Sequence, residues 1–197
     1  MKTIGITGPT GAGKTTALGA LERLGTLVLD ADEVYHGLLE HSKPMTKALV
    51  ERFGGKILDE TGKIDRKRLA DTVYGGGMAD LNAITHRFVL EEIHRQIEAA
   101  RGKYTAVAID AIALVESGAA AECDVVVAVL APAELRVRRI MTREGIDEGY
   151  ARRRVEAQQP DSFFRAHSDY VLENTEEDTA ESFAARARAL FEQVLRT

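Results

Sequence analysis

Eight consecutive residues, Gly8-Pro9-Thr10-Gly11-Ala12-Gly13-Lys14-Thr15, have the types and spacing to hold phosphate. They match the pattern G-x-x-x-x-G-K-[ST]. Glycines let the backbone wind tightly, so that successive N–H groups face phosphate oxygens. A helix N-terminus adds partial positive charge at the same place. Lys14 would supply a full charge to the β- and γ-phosphates of a nucleoside triphosphate, and the Thr15 hydroxyl is placed to ligand Mg2+. Gly11, Ala12, Gly13 and Thr16 complete the nucleotide cradle. The flanking sequence suits this chemistry. Lys2–Thr7 is a short β-branched run that reads as a strand, and Thr16–Leu24 carries apolar residues at helical spacing.

Carboxylates and guanidinium groups elsewhere could act on such a nucleotide. Asp30 and Asp32 follow an apolar run, Thr26–Leu29, at the strand end where ligands bind in open α/β sheets. A carboxylate there can accept the proton of an attacking hydroxyl. Asp32 also begins a helical segment, so helix capping competes with that role. Asp110 ends a further apolar run, Thr105–Ile109, in the position of a Mg2+-binding acid, with a cap or turn as its other role. Arg136, Arg138, Arg139, Arg143, Arg152, Arg153 and Arg154 cluster after a fourth run, Val125–Leu130. Pro132-Ala133-Glu134 reads as a helix start, and Gly145 and Gly149 divide the segment into two helices. Arginines on such a lid neutralise charge on a transferred phosphoryl group and exclude water. Two or three of the seven are expected to touch phosphate. The histidines show no metal-ligand spacing. Asp59-Glu60-Thr61-Gly62 fits the D-x-x-G of GTPase switches but follows no strong strand and reads as a turn. Cys123, beside the fourth run, reads as core.

The strands, with Asp169–Leu172 as the fifth, are near-continuously apolar, which predicts a parallel sheet covered on both faces. Helical patterns between them give an α/β fold with right-handed crossovers. The last helix carries one apolar stripe, Phe183, Ala187, Leu190, Phe191 and Val194. Between Asp30 and Thr105 lie about seventy residues without a central strand, too long for an ordinary crossover. They read as an inserted helical subdomain that holds a second substrate, broken at Gly54-Gly55 and Gly75-Gly76-Gly77. The expected organisation is one domain: core 1–35, 103–137 and 161–197, insertion 36–102, lid 138–160. The chain has 197 residues, 26 Lys and Arg against 31 Asp and Glu, and a net charge of −5. That balance gives no footprint for nucleic acid. No apolar run reaches the length of a membrane span, so no membrane partner is expected. A single cysteine and a first strand that opens the chain, with no signal peptide, predict a cytoplasmic protein. Oligomeric state is not legible.

With these residues in place the chain resembles the dephospho-coenzyme A kinases over nearly its whole length. The resemblance is carried by the glycine loop and Gly25 with Val28-Leu29-Asp30-Ala31-Asp32, then by Phe53-Gly54 and Gly62-Lys63-Ile64-Asp65-Arg66 with Leu69. Leu81-Asn82-Ala83-Ile84 with His86, Asp110 with Leu114-Val115-Glu116, Arg139 to Arg143, Ala157-Gln158 and Ser168–Asn174 complete it. The D-A-D and G-x-I-D-R segments, in this order, are the specific parts. The resemblance implies a P-loop three-layer sandwich with a central parallel sheet of about five strands. It implies transfer of the ATP γ-phosphate to the ribose 3′-hydroxyl of dephospho-CoA. Asp32 then resembles the carboxylate that activates the hydroxyl. Arg139 and Arg143 match lid arginines, Asn174 lies where adenine is contacted, and Arg66 and His86 fall in the acceptor region.

The chain also departs from the family. Its loop usually reads G-G-I-G-S-G-K-S, where this chain has Pro9-Thr10, Ala12 and Thr15. The family's His-Pro is His86-Arg87, and its D-x-P-L-L-x-E is Asp110–Glu116 without the proline. The loop changes remain compatible with phosphate binding; those around Arg87 and Ile112 fall around the acceptor. Two other functions compete with this one: a kinase of another nucleoside, nucleotide or small metabolite, and a nucleotide-dependent switch, against which the lack of an N-K-x-D motif counts.

Overall fold

The computed structural model describes residues 1–196; Thr197, the last residue of the expected core, lies outside them. Contacts divide the chain into two compact units. One is Met1–Leu29 with the chain from Ala100 onward; the other is Asp30–Ala99.

In the first unit a five-stranded sheet has the order β2-β3-β1-β4-β5. Its strands are β1 (Lys2–Thr7), β2 (Leu27–Asp30), β3 (Ala106–Asp110), β4 (Val125–Leu130) and β5 (Tyr170–Glu173). β1 pairs parallel with both β3 and β4, and β4 with β5. The expected strands are all present, each within a residue or so of its run. β4 is buried at every position, which is why its sequence does not alternate: helices cover both faces and neither can be polar. Against one face pack α1 (Lys14–Arg23) and α9 (Ala180–Arg196). Ala17, Leu18 and Leu21 of α1 and Phe183, Ala187, Phe191 and Val194 of α9 join Ile4, Ile6, Val127 and Val129 in one cluster. The 3.6-residue stripe read in the last helix is therefore its core face, and each buried Phe contributes roughly 1.5–3 kcal/mol. A second cluster joins Ala128 and Leu130 to Phe164 of α8 (Asp161–Ala166), a short helix the sequence does not announce. Between β4 and α8 lie α6 (Ala133–Glu144) and α7 (Glu148–Glu156). Gly145 ends α6 in the left-handed region, φ 66°. Gly149, expected as a second break, lies inside α7; the Asp147 carboxylate caps that helix ahead of it by accepting from Tyr150 N–H at 2.9 Å.

The second unit is helical: α2 (Ala31–His41), α3 (Lys43–Phe53), α4 (Arg66–Val73) and α5 (Met78–Ala100). It has its own core of Leu39, Met45, Leu49, Phe53, Ile57, Leu69 and Val73. Ser42 and Asp65 cap α3 and α4, accepting from Met45 N–H at 3.3 Å and Arg68 N–H at 3.0 Å. The D-x-x-G segment is a turn. The Asp59 carboxylate accepts from Thr61 N–H, Thr61 hydroxyl and Lys63 N–H at 2.7–3.0 Å, which holds that carboxyl below its ordinary range.

Cys123 behaves as a core residue. Its Sγ donates to Ala119 O at 3.3 Å. Burial, then the charges of Asp124 and Glu122, push the thiol up to about 12, so it carries almost no thiolate at neutral pH.

Candidate active site

β1 has β3 on one side and β4 on the other, so the strand order reverses at its carboxyl end, where open α/β sheets bind ligands. The chain leaves β1 there into Gly8–Thr15. Two glycines are dictated by close approach. A Cβ on Gly8, φ 135°, would lie 2.1 Å from Val129 O. A Cβ on Gly13, φ 107°, would lie 2.4 Å from Asn174 Nδ2, and Gly13 is the N-cap from which α1 starts. No L side chain fits either place. Thr7, 1% exposed, anchors the loop's entry by donating its hydroxyl to Ile112 O at 3.1 Å. Lys14 opens α1, and its Nζ donates to Gly8 O at 3.1 Å, which curls the lysine over the loop. Thr15 is exposed in the first turn.

Asp110 is the last residue of β3, in register with Ile6 of β1. Among the described residues no group of three His, Cys, Asp or Glu converges as a metal cage. Mg2+ takes few protein ligands and completes its shell with water and phosphate oxygens. The Thr15 hydroxyl and the Asp110 carboxylate are hard oxygen donors of the right kind.

The arginine cluster resolves into distinct roles. Arg139 donates to Gly11 O at 3.2 Å and to Asn174 Oδ1 at 3.1 Å. Burial pulls its pKa down, opposed by Asp178, yet a guanidinium stays protonated. Asn174 is 4% exposed, and its Nδ2 donates to Ala12 O at 3.0 Å. The amide expected at adenine is thus engaged with the loop. Even so, Asn174 lines a cavity of about 240 Å³ with Gly13, Thr16, Arg139, Thr179 and Phe183. Arg138 pairs with Glu176, and Arg152 with Glu134 and Glu148; Arg153 lies over the Tyr150 ring. Arg143 and Arg154 both pair with Glu144. Such exposed pairs contribute little to stability. Arg136 is the member that composition hides: 4% exposed, with Nε donating to Thr10 O at 3.0 Å. Its signal was helical spacing, because it lies one turn before Arg139 on the same face.

In the helical unit, Asp30 caps α2, its Oδ1 accepting from Asp32 N–H at 2.7 Å and Glu33 N–H at 3.2 Å. The cap of α2 therefore belongs to Asp30 and not to Asp32. The Asp32 carboxylate is exposed and has no side-chain hydrogen bond or ion pair among the described residues. Arg66 is the first residue of α4, exposed, and its charge acts on Tyr35. His86 is half-buried on α5, next to Arg87, whose guanidinium lies 4.7 Å from the Phe88 ring centroid where the family has proline.

A lysine-bearing glycine loop at the switch point of a parallel sheet, with a helix starting at its end, defines a P-loop nucleotide-binding protein. The dephospho-CoA kinase (CoaE) family model matches residues 2–179. A dephospho-CoA kinase of Corynebacterium diphtheriae is 38% identical over 178 residues, covering 89% of each chain. A Thermus thermophilus protein, TT1252, superposes with a TM-score of 0.79 at 28% identity, over 99% of this chain and 97% of that one. A Campylobacter jejuni dephospho-CoA kinase shares the fold, with a TM-score of 0.73 at 24% identity, over 100% and 98%. The chain belongs to the dephospho-CoA kinase family.

One comparison of variants tests the lid. If Arg143 acts on the transferred group, Arg143→Ala is expected to lower turnover more than it weakens ATP binding, because a charge in that role counts most as phosphoryl charge spreads. Arg154→Ala is the milder contrast. Both arginines lean on Glu144, so loss of that ion pair is common to the two variants. The difference in kcat at matched ATP Kd isolates what Arg143 adds. Equal small effects would make the cluster a solvated face.

Proposed function

We propose that the chain transfers the γ-phosphoryl group of ATP to the ribose 3′-hydroxyl of dephospho-CoA, giving coenzyme A and ADP. The observation that carries this reading is the Gly8–Thr15 loop at the carboxyl end of β1, in a chain of this family. Loop amides and Lys14 bind the donor phosphates, and the cavity beside Gly13 and Asn174 suits the purine. Mg2+, held by Thr15 and Asp110, would neutralise charge on the phosphates when bound. Asp32 takes the proton as the acceptor oxygen bonds to phosphorus and the bond to the ADP oxygen breaks. An exposed carboxylate without an internal partner is suited to that work. Residues 36–102 hold the acceptor, with Arg66 and His86 in contact with it. Residues 138–160 act as the lid, with Arg139 and Arg143 stabilising the transferred group. Among the described residues no helix is long and apolar enough to cross a membrane; a reducing cytoplasm suits the single shielded thiol.

The acceptor is tested by coupled ADP release with dephospho-CoA, AMP, adenosine and a panel of small metabolites, the product phosphate being located by NMR. Transfer to dephospho-CoA is expected, with adenosine a much poorer acceptor, because binding energy from the remote pantetheine arm positions the ribose for in-line attack. Transfer to another panel member but not to dephospho-CoA would overturn the acceptor and leave the kinase.

A further inference from the structure

Thr10, in the middle of the phosphate loop, has all three of its polar groups held by two side chains that come from outside the loop. Its N–H donates to Gln158 Oε1 at 3.2 Å, and its hydroxyl accepts from Gln158 Nε2 at 2.9 Å. Its carbonyl accepts from Arg136 Nε at 3.0 Å. The two clamping residues are themselves joined, Arg136 donating a second N–H to Gln158 Oε1 at 2.5 Å. The result is a closed ring of side chain and backbone. Gln158 sits in the turn between α7 and α8, its N–H bonded to Val155 O at 3.3 Å. Arg136 rises from α6, and a Cβ on Gly11 would lie 3.0 Å from Arg136 O.

We propose that Gln158, with Arg136, is a positioning residue that latches the phosphate loop in its nucleotide-binding shape and ties that shape to the segment that follows α7. First, the loop works only if its amides already point at phosphate when the nucleotide arrives, and an unlatched loop spends binding energy on ordering itself. The Thr10 N–H is turned toward Gln158, and fixing it sets the orientation of the peptide units on either side. Second, Arg136 is a nearly buried cation that donates to neutral oxygens of Thr10 and Gln158. Burial weakens its charged form, with Asp161 opposing. A charge held this way adds positive potential behind a loop that must bind polyphosphate, and more so in a low-dielectric setting.

The latch rests on the reading of Gly8–Thr15 as the ATP site, and its experiment separates the two. Arg136→Ala would leave a buried hole, so the informative variants are Gln158→Ala, Thr10→Val and Thr10→Ser, with their double combinations. Each is measured for thermal stability, for Kd of a non-hydrolysable ATP analogue, and for kcat and KM of both substrates. Gln158→Ala is expected to weaken ATP binding about tenfold, the size of one hydrogen bond to a charged network, with the KM of the acceptor nearly unchanged. Thr10→Val should lose part of that, Thr10→Ser should restore it, and Thr10→Val should add little once Gln158 is gone. If Gln158→Ala lowers the melting temperature but leaves Kd, KM and kcat per folded molecule as in the parent, Gln158 is only structural and the latch is overturned. Full additivity of Thr10→Val and Gln158→Ala overturns it as well. A parent protein that binds no ATP analogue, or a Lys14→Ala variant that binds and turns over as the parent does, overturns the site itself and the latch with it.

Discussion

Replacing Lys14 by alanine is expected to abolish phosphoryl transfer while the fold survives. Lys14 is the first residue of α1, half-buried, and its Nζ reaches Gly8 O at 3.1 Å. Alanine is the best helix former, so α1 still starts. What disappears is the full positive charge proposed to lie over the β- and γ-phosphates. Loss of such a group costs about 3 kcal/mol or more in the transition state, on the order of a hundredfold or more in rate. Coupled ADP release measures the loss, and thermal melting checks that the protein is folded. A variant with near-normal turnover would sink the phosphate-loop assignment.

Asp32→Asn is expected to cost about 10²–10⁴-fold in turnover, the usual range for removing a general base, with ATP affinity little changed. Asparagine keeps the shape but cannot take the proton. The structure sharpens this test, because the cap of α2 is Asp30. Asp30→Ala should therefore destabilise by ~1 kcal/mol, as loss of an N-cap does, whereas Asp32→Asn should leave the melting temperature nearly unmoved. If Asp32→Asn instead lowers stability and spares turnover per folded molecule, its proposed role as base is wrong.

Much of this protein is legible in local sequence. A β-branched run identifies β1 and near-continuous apolar runs identify β2 to β5; β4, covered on both faces, has no polar side to show. The stripe from Phe183 to Val194 marks α9, because one helix face packs on the sheet. The loop is legible because its glycines answer steric demands that recur wherever backbone wraps phosphate. Other features depend on residues distant in the chain. Strand order sets β1 between β3 and β4, and only that order puts the loop at a reversal point. Asp30 and Asp32 look equivalent along the chain; helix geometry alone gives the cap to one and leaves the other carboxylate exposed. The seven arginines after β4 are alike in composition. Packing of α6 against the loop buries Arg136 on Thr10 and sets Arg139 on Gly11, while the remaining five meet carboxylates or an aromatic ring. The reason is one of range. Periodicity and turn chemistry report interactions within a few residues, whereas the burial of a charge and the partner of a hydrogen bond are decided by residues such as Thr10 and Gln158, which meet only when the sheet and its helices have assembled.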